Sequence, residues 1–219
     1  MTTLPPHAPR LWTRHIHTQT NNSNGTKDAH LTYTISTNPS HIDLDALAAA
    51  FESPMTYWAK PMSREALRVC VDHSLCFGLF VRDGDEERGV EGDGDEAACK
   101  APQTTILGPM IGFARLVTDY STFAYLTDVY VLESHRGRGL GAWLVRCVDE
   151  ELATWPDLRR CLLLTRGEAA VRMYGRELHA RSSGETDAGL VLMERAGMAA
   201  VSYGTERDGR GLTEAKGDH

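Results

Sequence analysis

Residues 123–155 read FAYLTDVYVLESHRGRGLGAWLVRCVDEELATW, and their order decides the fold. Phe123 to Leu132 is rich in aromatic and β-branched residues and predicts a strand. Arg136-Gly137-Arg138-Gly139-Leu140-Gly141 follows, a turn with glycines at alternate positions. Leu140, Trp143, Leu144, Cys147, Val148 and Leu152 then recur at helical steps, with Arg146, Asp149, Glu150 and Glu151 on the other face. Trp155-Pro156 ends the helix. A strand, a glycine turn and a helix start make an anion site. The first helical N–H groups have no partner inside the helix, and the helix dipole adds partial positive charge there. Glycines let the backbone approach a ligand closely. Arg136 and Arg138 add fixed charge in a geometry that phosphates favour. The expected ligand carries phosphate, best a pyrophosphate.

Two phosphate-binding patterns do not fit. A Walker loop needs Gly-Lys-Ser/Thr, which is absent, and the dinucleotide fingerprint G-x-G-x-x-G is one residue longer than the G-x-G-x-G found here. The stretch resembles the signature of the GNAT acetyltransferase superfamily, in which a strand ending in a V-x-P-like step leads into R/Q-x-x-G-x-G/A at a helix start. Here it reads Val131-Leu132-Glu133, then Arg136 to Ala142, with Glu133 where proline is usual. The resemblance implies that the turn holds the pyrophosphate of coenzyme A, with acetyl-CoA as the acetyl donor.

Outward from that stretch, the chain alternates strands and helices. Leu31 to Ser36 alternates as a strand, Ile42 to Phe51 is helical, and Ser63 caps a second helix. Ser74–Arg82, Met110–Val117, Arg160–Thr165 and Leu190–Glu194 read as strands, and Glu168–Leu178 as a helix. The predicted order is β-α-α-β-β-β-α-β-α-β, an α/β (α+β) fold. By resemblance it is a GNAT-like mixed, mostly antiparallel sheet flanked by helices. Residues 1–30 are polar and read as a flexible leader, and 31–203 as one domain. Asp83 to Pro102, rich in Gly, Asp and Glu, reads as a solvated acidic insertion, and 204–219 as a loose tail.

Composition narrows the function. The 219 residues suffice for one core, and 42% hydrophobic content fits a globular protein. A net charge of −7 without a basic run argues against general nucleic-acid binding. No apolar stretch has the length of a membrane span, and the N-terminus lacks the apolar core of a signal peptide. Five scattered cysteines without C-x-x-C read as reduced thiols of a cytoplasmic protein, with the nucleus also open. Nine histidines show no ligand spacing, so no metal site is expected.

The chemistry expected from the resemblance is direct attack of an amine on a thioester. The amine must lose its proton, the thioester oxygen needs a hydrogen-bond donor, and the departing thiolate gains from an acid. By resemblance, Val129, Tyr130, Val131 and Leu132 lie beside the thioester, with a backbone N–H near Tyr130–Val131 as the oxyanion donor. Arg136, Gly137, Arg138, Gly139, Leu140, Gly141 and Ala142 hold the pyrophosphate. Thr127-Asp128-Val129-Tyr130-Val131 resembles the E-D-V-V-V stretch of glucosamine-phosphate acetyltransferases. Asp128 matches the second acid and Thr127 replaces the first. Asp128 therefore reads either as a base or as a structural carboxylate capping a turn or pairing an arginine. Tyr174 matches the tyrosine of a Y-x-x-x-G-F run whose Gly-Phe is not kept, and reads as the acid or as a core tyrosine. Tyr57 and Trp58, adjacent aromatics in a loop, read as an acceptor-pocket wall or as a plug on the sheet edge. The expected acceptor is the primary amine of a small molecule. A protein lysine or N-terminus, and a non-catalytic acyl-CoA-binding module, are the alternatives, and a homodimer is left open.

Overall fold

The computed structural model describes residues 8–22, 25–56, 58–83 and 107–204. Its strands are β1 Leu11–Asn22, β2 Gly25–Ser36, β3 Leu75–Asp83, β4 Met110–Thr118, β5 Phe123–Val131, β6 Arg160–Thr165, β7 Arg181–Glu185 and β8 Val191–Ala196. Its α-helices are α1 Leu44–Glu52, α2 Arg64–Asp72, α3 Leu140–Leu152 and α4 Glu168–Glu177. The strands form one eight-stranded sheet in the order β1-β2-β3-β4-β5-β6-β8-β7. The β5–β6 pair is parallel and the others are antiparallel. The mixed, mostly antiparallel sheet expected from the sequence is the one observed.

Helices cover both faces. In β3, Phe77, Leu79 and Val81 point into the core built with α3 and α4, while Cys76 and Phe80 point into the core built with α1 and α2. The two-residue period of a strand explains how one short segment serves two cores. The strand β5 reaches its parallel neighbour β6 only by a crossover, and α3 is that crossover. Among the described residues, Cys76, Cys147 and Cys161 are buried, free thiols, and burial pushes each up to about 12. A thiolate is thereby suppressed, so these cysteines are inert at neutral pH.

The polar leader expected over 1–30 is corrected over 11–22 and 25–30, which belong to β1 and the first half of β2; residues 1–7 lie outside the described residues. Arg10, Trp12, Arg14 and Ile16 are all half-buried on one face, and Leu11, Thr13, His15 and His17 are exposed. Two of the inward positions are arginines, which hides the alternation from a hydrophobicity count. Arg10 lies 4.6 Å over the Trp12 ring and pairs with Glu151 at 3.1 Å. The Trp12 indole donates to Glu150 at 2.7 Å. A second correction is β7, whose residues Arg181 to Glu185 are all exposed and therefore carry no periodic apolar signal. The late strand β8 runs on to Ala196, because Arg195 is fully buried and its Nε donates to Asp149 at 2.6 Å. The acidic insertion falls almost wholly outside the described residues, and so does the tail beyond 204.

Docking of β1 is directly testable. Trp12→Ala removes an indole that packs on Phe77, with ring centroids 6.0 Å apart. A half-buried site should lose about 2 kcal/mol, near half the cost at a core site, and lower the melting temperature by about 4–8 °C. A melting temperature equal to wild type by calorimetry would return β1 to the status of a leader.

Candidate active site

A cleft of about 900 Å³ opens where two paired strands part. The parallel register between β5 and β6 runs from Phe123 opposite Arg160 to Leu126 opposite Leu163 and stops there. Past that point β5 stays with β4 instead, and the Leu132 amide donates to the Ile111 carbonyl at 2.8 Å. A bulge accompanies the parting. The β4–β5 register shifts between Phe113 opposite Tyr130 and Arg115 opposite Thr127, which puts an extra residue into β5. Asp128 sits at the bulge with φ 55°, a left-handed conformation that aspartate tolerates better than most residues.

The helix that faces the parted strands begins without a side-chain cap. Asp43 and Ser63 cap α1 and α2 with their side-chain oxygens. The N-cap of α3 is Gly139, at φ 70° and ψ 12°, which supplies no side-chain cap, and no side chain among the described residues bonds its first turn. The Trp143 amide is the first to find an intrahelical carbonyl, that of Gly139 at 3.0 Å. The amides of Leu140, Gly141 and Ala142 are thus left for an external acceptor. Gly137 shares the left-handed conformation at φ 78°, and a Cβ added there would meet nothing within 4 Å. Both glycines serve backbone conformation and open approach. Arg136 lines the cleft with its Nε fixed on the Val131 carbonyl at 3.1 Å, so its Nη groups remain for a ligand. Donors of this kind, around a left-handed turn, fit the charge and breadth of a diphosphate.

The cleft brings together most of the residues expected from sequence. Asp128, Val129, Tyr130, Val131, Arg136, Gly137, Gly139, Leu140, Gly141, Tyr174 and Trp58 line it. Leu132, Arg138 and Ala142 do not. The Arg138 Nη1 instead donates to the Ser134 carbonyl at 2.7 Å. Tyr57 lies outside the described residues. Met55, Tyr125, Leu164, Arg166 and Met173 also line the cleft and were missed. Each is a lone apolar or charged residue whose position depends on the parting of the strands, which no local pattern encodes.

Asp128 is not isolated. Arg115 clamps its Oδ2 through Nε at 2.8 Å and Nη2 at 2.7 Å, and Arg115 Nη1 reaches the Ser74 hydroxyl at 3.2 Å. The remaining Oδ1 accepts from the Thr127 hydroxyl at 3.4 Å. Tyr174, on α4, is nearly buried. The helix carrying it is tied to α3 by Glu177, which accepts from Arg146 at 3.0 and 2.6 Å and from Arg176 at 2.7 Å. Burial works to raise the Glu177 pKa, yet the two guanidinium groups win and hold it below its ordinary 4.5. Among the described residues, no group of three or more His, Cys, Asp or Glu side chains could hold a metal ion.

The family model for the acetyltransferase (GNAT) family matches residues 71–180. A curated protein of Gibberella zeae named "Putative acetyltransferase FG08082" is 36% identical over 155 residues, which cover 71% of this chain and 82% of that protein. A GNAT-family structure from Xanthomonas campestris pv. campestris is 32% identical, with TM-score 0.46, covering 65% of this chain and 82% of that one. A domain structure from Methanocaldococcus jannaschii shares the fold at TM-score 0.50 and 10% identity, over 86% of this chain and 99% of that one. The chain belongs to the GNAT acetyltransferase family. It is an acyltransferase, and acetyl-CoA is its cosubstrate.

The turn at α3 is open to a direct test. Gly139→Asp puts a side chain on a residue at φ 70° and a negative charge where an anion should bind. Coenzyme A affinity measured by calorimetry should fall at least about 100-fold, given the strength of charge-assisted hydrogen bonds. Unchanged affinity would move the diphosphate elsewhere.

Proposed function

We propose that the protein transfers an acetyl group from acetyl-CoA directly to the primary amine of a small molecule. The observation that carries the reading is one cleft that joins the uncapped start of α3 to both Asp128 and Tyr174. Arg136 and the turn from Gly137 to Ala142 hold the diphosphate, and the unpaired edge of β5 from Val129 to Leu132 receives the pantetheine arm. Acetyl-CoA, when bound, supplies the activated thioester. A backbone N–H at Tyr130–Val131 donates to the thioester oxygen as charge builds on it.

The chain supplies a base and an acid on the same cleft. Asp128 Oδ1 is the oxygen that Arg115 leaves available, and it takes the amine proton. Arg115 holds the carboxylate in one orientation, which favours proton transfer in a fixed geometry. The Tyr174 hydroxyl donates to the departing thiolate. Met55, Trp58 and Tyr125 form the wall for the acceptor, and their apolar and aromatic surface suits the carbon frame of a small amine. The pantetheine arm shares the same 900 Å³, which supports a small acceptor over a folded one. Buried free thiols support a reducing compartment, the cytoplasm or the nucleus. No helix among the described residues is long and apolar enough to cross a membrane.

The test begins with an amine panel read by release of free thiol from acetyl-CoA. On the acceptor so found, Tyr174→Phe keeps the ring and removes the proton donor. Turnover should fall about 10²–10⁴-fold while acetyl-CoA affinity holds. Wild-type turnover in that variant would make Tyr174 a packing residue. Tight acetyl-CoA binding with no acceptor in the panel would favour a binding module over an enzyme of small amines.

A further inference from the structure

The strand β1 runs along α3 from its end to its beginning. Arg10 reaches the Glu150 carbonyl at 3.3 Å and the Glu151 carboxylate at 3.1 Å. Trp12 bonds Glu150. Arg14, two positions on, lies 4.8 Å over the ring of Trp143, and its Nη1 stands 4.0 Å from where a Cβ on Gly139 would be. The lengths agree. Four strand residues span ~13 Å and the seven helical residues from 150 to 143 span ~10 Å.

Arg14 differs from Arg10 in having no carboxylate. Among the described residues it makes no ion pair and no hydrogen bond, and the first turn of α3 contains no acid. A guanidinium is thus held by cation–π stacking at the positive end of a helix dipole. Its surroundings add to the imbalance. Tyr33 is the cross-strand partner of Arg14, and it is fully buried with a hydroxyl that has no partner among the described residues. The ring of His135 stands edge-on to Tyr33 at 6.3 Å, and its Nδ1 is also buried without a partner among the described residues. The charge of Arg138 reaches both side chains, so a second guanidinium lies on this side of the turn. Asp83, at the end of β3, also acts on Tyr33 and makes no ion pair with Arg14.

Gly139, which Arg14 approaches, itself lines the cleft. Arg136 lines it, and Arg14 and Arg138 do not. Coenzyme A carries two kinds of phosphate, a diphosphate in its chain and a separate monoester on the ribose. The monoester sits on the ribose that follows the diphosphate in the chain, within reach of a cation placed beside the turn, and Arg14 Nη1 comes within 4.0 Å of the Cβ position of Gly139. We infer that Arg14 is a coenzyme A ligand that binds the ribose 3′-phosphate, with Arg138 beside it. The inference rests on the reading of the α3 turn as the diphosphate site. It gives β1 a function, which is to deliver a cation that the family-matching segment, residues 71–180, does not contain.

The experiment compares coenzyme A with 3′-dephospho-coenzyme A by calorimetry on the full chain, for wild type, Arg14→Gln and Arg14→Lys. Wild type should prefer coenzyme A by about 10-fold or more, as expected for a charge-assisted contact. Arg14→Gln should bind both ligands as wild type binds the dephospho form, and Arg14→Lys should keep part of the preference. The wild-type comparison needs no variant, so a folding defect in Arg14→Gln cannot mimic the result. Full preference retained by a folded Arg14→Gln overturns the inference and leaves the diphosphate site standing. Equal affinity of wild type for both ligands overturns the 3′-phosphate assignment. Failure of wild type to bind either ligand overturns the diphosphate site and the inference together.

Discussion

The structure depends on the parting of β5 from β6. A parallel pair normally continues its hydrogen bonds for the length of the shorter strand. Here pairing lasts from Phe123 to Leu126 and then stops, while β5 stays bonded to β4 through a bulge at Asp128. Two consequences follow from one geometric fact. The edge of β5 beyond Leu126 is released from its sheet neighbour, and the space between the strands becomes a cleft at the carboxyl ends of a parallel pair. A crossover helix must start from that same end, so the uncapped amides of α3 necessarily face the opening. The proposed cofactor site and reaction site are thus adjacent because of topology.

The second organising feature is the polar side of α3. Every charged residue there is matched by a group outside the helix. Arg146 pairs with Glu177 of α4, Asp149 with the buried Arg195 of β8, Glu150 with Trp12, and Glu151 with Arg10 and the Trp155 indole. Glu151 and Arg195 are almost completely buried. Charges so far from water are tolerable only when paired and hydrogen-bonded, and removal of either partner is costly. The pairs therefore specify position more than they add stability. They fix α4, and with it Tyr174, and they fix β1, and with it Arg14, relative to the start of α3.

Much of this was legible in the sequence. The strand–turn–helix at 123–155 could be read because its glycines need left-handed conformations, as Gly137 and Gly139 have, and because its apolar face repeats at the helical period. The core strands were legible from their short apolar, aromatic and β-branched runs. The strand β1 was not, because Arg10, just before it, and Arg14 take inward positions, and their partners, the Glu151 carboxylate and the Trp143 ring, sit on a helix more than a hundred residues away. The strand β7 carries no buried residue at all. Asp128 kept two readings because one carboxylate in a strand does not reveal that the neighbouring strand brings the Arg115 guanidinium to it. The far wall of the cleft was missed for a similar reason, since Met55 and Tyr125 come to line one cleft only after the sheet has parted.

The central claim is that the α3 turn and the free edge of β5 form one continuous coenzyme A site. Backbone amide shift mapping tests it most directly. In a titration of isotopically labelled protein with coenzyme A, the largest changes should fall on Gly137, on Gly139 to Ala142 and on Val129 to Val131, together and with the same apparent affinity. Changes centred elsewhere, or two groups that saturate at different concentrations, would contradict a single site built on the parted strands.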